Sequence, residues 1–202
     1  MCGIVGQIRK DKKVDTSLFN KMRDTLFHRG PDGAGTELLH EDTVALGHRR
    51  LAIIDLSRDG LQPMSNSEKS IWVTYNGEIY NFKKLREQLQ LRGYNFRSRT
   101  DTEVLIHGYQ EWGIEGLLMR IKGMFAFAIW DANKRKLFGA RDRFGIKPFY
   151  YAQENHKFTF ASEIKAIIRD PSVEKIVDPC SLADFFLYFR VSHVAALIGP
   201  LK

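Results

Sequence analysis

The stretch "GMFAFAIWD", residues 123–131, sets the large side chains of Phe125, Phe127 and Ile129 in alternation with the small ones of Ala126 and Ala128. Successive side chains of a strand point to opposite faces, so this run reads as a strand buried on both of them. Working downstream, "KLFGARD" (136–142), "PFYYA" (148–152) and "KFTFAS" (157–162) continue as a meander of strands. Upstream, "GIVGQI" (3–8), "TVALGH" (43–48), "LAIIDL" (51–56) and "SIWVTYNG" (70–77) are further short apolar runs with turn signals around them. The last of these ends in Asn76-Gly77, a dipeptide that favours a turn.

Helical spacing fills the gaps between these runs. Leu18, Phe19, Met22 and Leu26 share one face, with Thr16 or Ser17 as cap and Gly30-Pro31 as the stop. "NFKKLREQLQLRG" (81–93) follows, with Asn81 as cap and Gly93 as stop. "TDTEVLIHGYQEW" (100–112) opens on a capping-box pattern of Thr100 and Glu103. Ser162 and Ser181 are positioned to cap "SEIKAII" and "LADFFLYF". About eight strands and four or five helices, not in strict alternation, predict an α+β fold with largely antiparallel sheets. One domain fills residues 1–190, without repeats or low-complexity linkers.

Composition narrows the class of function. With 44% apolar and 27% charged residues over 202 positions, the chain has the profile of an ordinary globular domain with one good-sized core. The net charge of +7 raises the question of nucleic acid, but basic residues are interleaved with acids, as in "KDKK", and no basic stripe carries stacking aromatics. Neither a membrane-length apolar run nor a secretory signal is present, so no membrane partner is expected and the cytoplasm is the expected location. Cys2 and Cys180 are the only cysteines, too few for a disulfide framework, and no His/Cys cluster has zinc-ligand spacing, so no metal is expected. Cys180 has no visible partner and reads as inert.

Cys2 is the residue that invites a chemical reading. An initiator methionine is generally removed before a small residue such as cysteine, which would leave Cys2 with both a thiol and a free α-amine. The amine titrates near 7.7–8.0 and the thiol near 8.5, so one residue can supply nucleophile and base at about neutral pH. Gly3 leaves room for the backbone to fold tightly around that terminus.

"MCGIVG", "HRGPD" (28–32), "GHRRLAIIDL" (47–56), "YNGEIYN" (75–81) and "DTEV" (101–104) occur in the order seen in class II glutamine amidotransferases. With "ARDRFGIKPFYY" (140–151) and "ASEIKAI" (161–167), the chain resembles the N-terminal glutaminase domain of glutamine-hydrolysing asparagine synthetases over about residues 1–188. The sugar-phosphate branch of the superfamily favours "RGYDS" and "GHTRWAT" patterns instead. The resemblance implies an N-terminal-nucleophile hydrolase fold, a four-layer αββα sandwich of two largely antiparallel sheets.

It also implies roles, residue by residue. Cys2 would be the nucleophile, and Asn76 and Gly77 the oxyanion donors. Arg50 would grip the glutamine α-carboxylate, a task for which a guanidinium fork is suited. Glu78 and Asp101 would receive the α-ammonium, and Ile53 and Ile54 would line the pocket from a strand. Arg29 and Asp32 are read as organising a turn, and "ARDRFGIKPFYY" and "ASEIKAI" as packing and a face toward an acceptor domain.

The implied function is hydrolysis of L-glutamine to glutamate and ammonia through a Cys2 thioester. The ammonia is meant for ATP-dependent amidation of aspartate by a synthetase domain or subunit. The synthetase's S-G-G-x-D-S pyrophosphatase loop does not occur in these residues, nor does a P-loop, so this chain is expected to use no cofactor, with ATP and Mg belonging to the synthetase. Residues 191–202 depart from the family pattern and are expected to be a divergent tail with the synthetase domain absent. Three further readings stay open: another ammonia acceptor, a homodimer, and a catalytically idle interaction module.

Overall fold

The computed structural model describes residues 1–154 and 156–189. In chain order the elements are β1 (Gly3–Arg9), α1 (Thr16–Asp24), β2 (Gly33–Leu39), β3 (Val44–Arg50), β4 (Met64–Ser65), β5 (Ile71–Ile79), α2 (Phe82–Gln90), α3 (Thr102–Arg120), β6 (Gly123–Asp131), β7 (Lys136–Arg141), β8 (Tyr150–Glu154), β9 (Lys157–Ala161), α4 (Ile164–Ile167) and α5 (Pro179–Tyr188). One sheet runs β2-β3-β1-β9-β8 and the other β4-β5-β6-β7. Every pairing in both is antiparallel.

The alternation in β6 sets the layering. Phe125, Phe127 and Ile129 face a core shared with Leu105, Tyr109 and Leu117 of α3 and Leu85 and Leu89 of α2. Ala126, Ala128 and Trp130 face the opposite way and meet Ile4, Leu46 and Phe160 of the other sheet. That second sheet turns Val5, Ala45 and Ala161 outward against Phe19 and Met22 of α1 and Ala166 and Ile167 of α4. The order of layers is therefore helix, sheet, sheet, helix, the four-layer sandwich of the N-terminal-nucleophile hydrolases. Burial of a single large side chain in such a core contributes about 1.5–3 kcal/mol, and Phe127, Phe160 and Leu105 are all fully buried.

Several local expectations give way to tertiary structure. "LAIIDL" is not a strand: β3 ends at Arg50 and residues 51–57 form a loop leading into a 3-10 turn at Arg58–Gly60. "SIWVTYNG" does not end at Asn76-Gly77. Strand β5 runs through both residues to Ile79, with Asn76 opposite Ala126 and Gly77 opposite Phe125. The downstream meander is split, since β7 belongs to one sheet and β8 and β9 to the other.

Helix caps also move. Asp15, not Thr16 or Ser17, caps α1 by accepting the Leu18 N–H, and Asp178, not Ser181, caps α5. Asp101 rather than Thr100 occupies the N-cap position of α3, and Glu103 reaches back to the N–H groups of Arg97 and Ser98. Ser162 accepts the Ile4 N–H and leaves the N-cap position of α4 to Glu163. Asn81 sits at the cap of α2 but bonds Arg120 and Lys122 instead, tying the end of α3 to the start of β6. α3 is kinked at Gly113, whose φ of 67° is open to glycine at low cost.

Candidate active site

Cys2 immediately precedes β1, whose first residue Gly3 pairs with Arg49 of β3. This register brings the thiol beside the end of β3, where Sγ lies 3.4 Å from the Leu51 N–H and 3.6 Å from the Leu51 carbonyl oxygen. Burial pushes the Cys2 thiol above its usual range, against smaller lowering effects from the Leu51 backbone bond, the chain terminus and Arg50. A thiol held this way needs a nearby base to react.

The Cys2 carbonyl accepts a hydrogen bond from Arg29 Nε at 3.0 Å. Arg29 Nη1 in turn reaches Glu163 Oε1 at 2.8 Å, and His28 and Lys165 meet the same carboxylate. Arg29 thus does more than organise a turn: it pins the Cys2 backbone to the start of α4. Asp32 likewise reaches across the chain and accepts the Ala52 N–H at 2.9 Å. Burial acts to raise the Glu163 carboxyl, but the bonds from Arg29, His28 and Lys165 outweigh it and hold the group at about 2.

A folded-state value below the ordinary 4.5 means that this contribution to stability is complete above pH 4.5 and is lost as pH falls through about 2. Glu163→Gln should therefore melt below the parent at pH 7, with the gap closing in acid. Equal gaps at pH 7 and in strong acid would show that the pairing contributes nothing.

Arg50, the last residue of β3, is buried, and its guanidinium is held by the carbonyls of Ser57 (2.7 Å from Nη1) and Asp55. Two of its five N–H donors are used in this way, leaving others for a ligand. Asp55 fixes the far side of the loop by accepting the N–H groups of Arg99 and Ser57, and these bonds bring its carboxyl down to about 2. Between them Ile53 and Ile54 are 72% and 42% exposed, yet both line the same cavity as Arg50 and Cys2. They line it from a loop, not from a strand.

Strand β5 forms the opposite wall. The Tyr80 N–H bonds Lys122 at the start of β6, so even-numbered residues here face β6 and residues 75, 77 and 79 present their main chain to the open edge. Gln62 Oε1 accepts the Tyr75 N–H at 2.7 Å, and Asp101 Oδ2 accepts the Ile79 N–H at 2.9 Å. The Gly77 N–H lies between these two on the edge that borders the cavity. A Cβ at Gly77 would stand 2.7 Å from the Tyr75 ring and 2.8 Å from Phe125 Cα, so this approach requires glycine. Asn76 is buried and its Nδ2 has no partner among the described residues. An orphaned buried donor beside a cavity calls for explanation, and a ligand oxygen supplies one.

Asp101 is buried at the head of α3 and spends no bond on capping. Its Oδ2 accepts the Tyr75 hydroxyl at 2.7 Å as well as the Ile79 N–H. Burial raises its carboxyl, partly offset by these two bonds, while Glu78 raises it further. Glu78 itself is exposed and lines the cavity.

The cavity has a volume of about 230 Å³ and brings together every residue that the sequence singled out: Cys2, Arg50, Ile53, Ile54, Asn76, Gly77, Glu78 and Asp101. Arg50 on one wall and Glu78 and Asp101 on the other offer the charges that complement a zwitterionic amino acid. Its wall also holds His48, Gln62, Tyr75 and Lys147, which sequence reasoning did not single out. Lys147 is buried, and its Nζ lies 3.1 Å from Met1 Sδ. Among the described residues no three His, Cys, Asp or Glu side chains gather to hold a metal ion, and no helix is long and apolar enough to cross a membrane.

The family model for the glutamine amidotransferase domain matches residues 1–198. Asparagine synthetase [glutamine-hydrolyzing] 3 of Bacillus subtilis (strain 168) is 43% identical over 190 residues, 92% of this chain and 30% of that protein. Amidase chyE of Penicillium rubens is 42% identical over 147 residues, 72% of this chain and 21% of that protein. The chain thus spans less than a third of the length of either relative. Among solved structures, the B. subtilis glutamine phosphoribosylpyrophosphate amidotransferase in complex with ADP and GMP superimposes with a TM-score of 0.71 over 83% of this chain and 43% of that one, at 24% identity, which speaks to the fold alone.

Proposed function

The chain belongs to the glutamine amidotransferase domain family, and from that premise we propose that it hydrolyses L-glutamine to glutamate and ammonia with Cys2 as nucleophile. The observation that carries the reading is that Cys2, Arg50 and Asn76, whose Nδ2 is orphaned among the described residues, line one cavity.

Glutamine would lie with its α-carboxylate on Arg50 and its α-ammonium toward Asp101 and Glu78, under Ile53 and Ile54. The ligand's own positive charge favours ionised Asp101 against the upward push of burial. Removal of Met1 frees the Cys2 α-amine, which takes the thiol proton as the sulfur attacks the γ-carbonyl carbon. The carbonyl electron pair moves onto oxygen, and the resulting oxyanion is met by Asn76 Nδ2 and the Gly77 N–H. Collapse expels ammonia, protonated by the α-ammonium, and leaves a thioester. Water then adds to the thioester as the α-amine takes its proton, and the Cys2 sulfur departs, recovers that proton and leaves glutamate. Nucleophile, base and oxyanion donors all come from this chain, so this half-reaction draws on no cofactor.

Similarity to glutamine-hydrolysing asparagine synthetases supports ATP-dependent amidation of aspartate by a partner domain or subunit as the destination of the ammonia. A different acceptor is the second reading, favoured by the similarity to a fungal amidase, 42% identical over a shorter stretch of 147 residues.

The purified chain should have a mass lacking Met1. It should take up one equivalent of a diazo-ketone analogue of glutamine, mapped to Cys2, with loss of glutaminase activity. Label on the exposed Cys180, or retention of Met1 without glutaminase activity, would overturn the assignment and favour an idle interaction module.

A further inference from the structure

Tyr75 precedes the donor pair, and both of its main-chain groups on the open edge of β5 are held by side chains instead of by a strand. Gln62 Oε1 accepts its N–H at 2.7 Å, and His48 Nε2 lies 3.1 Å from its carbonyl oxygen. A carbonyl can only accept, so Nε2 carries the imidazole proton and Nδ1 is bare; Nδ1 has no partner among the described residues. His48, Gln62 and Tyr75 are all buried. Burial brings His48 down to about 3, so the ring is neutral wherever the protein is folded near neutrality.

Two buried polar side chains are a costly substitute for a neighbouring strand, since each must be desolvated and ordered. The topology supplies a reason. The edge strand β4 begins only at Met64, with Met64 and Ser65 opposite Val73 and Trp72, so it never reaches the positions beside Tyr75 and Gly77. Had it begun four residues earlier in the same register, Gly60 would have stood opposite Gly77 and its carbonyl would have consumed the Gly77 N–H. Side chains can hold Tyr75 and stop there, and Asp101 resumes the pairing at Ile79. Gln62 Nε2 also reaches Thr102 Oγ1 at 3.3 Å, linking this brace to the head of α3, where Asp101 sits.

We infer that His48 and Gln62 are positioning residues that clamp the Tyr75 peptide and thereby set the aim of the Asn76 and Gly77 donors. The inference rests on the glutaminase reading. A misplacement of about 1 Å at reacting atoms can cost on the order of 10²-fold in rate, so a loosened clamp has a large lever.

The test uses the processed chain and three variants: His48→Leu, Gln62→Met, and His48→Gln, whose amide can donate to the same carbonyl. Four quantities are read: kcat, KM for glutamine, the rate of Cys2 alkylation by iodoacetamide, and the affinity of the γ-aldehyde analogue of glutamine. That analogue adds the Cys2 sulfur to its carbonyl carbon, the thiol proton passing to the surroundings, and so places an oxyanion in the same position.

His48→Leu and Gln62→Met should lower kcat by about 10- to 100-fold. KM and alkylation should stay within about twofold, the aldehyde should weaken in step with kcat/KM, and His48→Gln should recover most of the loss. An unchanged kcat in folded variants overturns the inference. So does a joint fall in kcat, alkylation rate and melting temperature without rescue by His48→Gln, which marks a purely structural role. A parent chain that does not hydrolyse glutamine removes the glutaminase reading, and the clamp falls with it.

Discussion

Asn76→Ala is expected to lower glutamine turnover by about 10²–10³-fold, the usual effect of losing one oxyanion donor, while KM and melting temperature change little. The asymmetry follows from the hydrogen-bond inventory. Asn76 Nδ2 has no partner among the described residues, so its removal breaks no bond that they show holding the fold. A buried, unsatisfied amide costs about 1–3 kcal/mol of desolvation, and relief of that cost offsets the packing lost with the side chain. In the transition state the same amide meets a developing negative charge in a site sheltered from water. Asn76→Asp should be at least as inactive, since a carboxylate offers no donor and repels the oxyanion. It should also be less stable, because position 76 lies inside β5 and not in a turn that would tolerate the charge. Steady-state kinetics with thermal melts decide the matter, and an Asn76→Ala variant with parental kcat would remove Asn76 from the chemistry.

Arg50→Ala should raise KM for glutamine by about 10²–10⁴-fold, because two charge-assisted hydrogen bonds of about 1.5–3 kcal/mol each are lost together. The guanidinium also braces the 51–57 loop through the Asp55 and Ser57 carbonyls, so part of any effect could come from the loop. An analogue of glutamine lacking the α-carboxylate separates the two causes. The parent should strongly prefer glutamine over it, whereas Arg50→Ala should treat the two nearly alike. Arg50→Lys should recover little, since a single ammonium cannot reproduce the planar fork. If the variant kept the parental preference for the carboxylate, Arg50 would be a loop brace only.

Much of the layering was readable because β6 declares it. Large side chains on one face need a thick helical layer, and alanines on the other let a second sheet come close. The apolar run at residues 51–56 misled for a physical reason, since hydrophobicity that serves a ligand looks like hydrophobicity that serves a core. Asn76-Gly77 misled in the same way: local turn chemistry was overridden because the amide and the free N–H are wanted at a cavity wall inside a strand. The caps moved mostly where a nearby aspartate outcompeted a hydroxyl, as at Asp15 and Asp178. Arg29, His48 and Gln62 could not be found by spacing at all. Their partners lie 13 to 134 residues away, and nothing periodic marks such a contact.

Arg50 ends a strand of one sheet and Cys2 immediately precedes another strand of it, Asn76 and Gly77 lie in the other sheet, and what separates them is the seam of Ile4, Leu46, Ala126, Ala128 and Phe160. The thickness of that seam is therefore a gauge. It fixes how far the sulfur must reach to place an oxygen between the two donors. A methyl group added at Ala128, remote from any ligand, would alter that gauge as surely as a change in the cavity wall, so the tolerances of the chemistry are written into residues that never touch it.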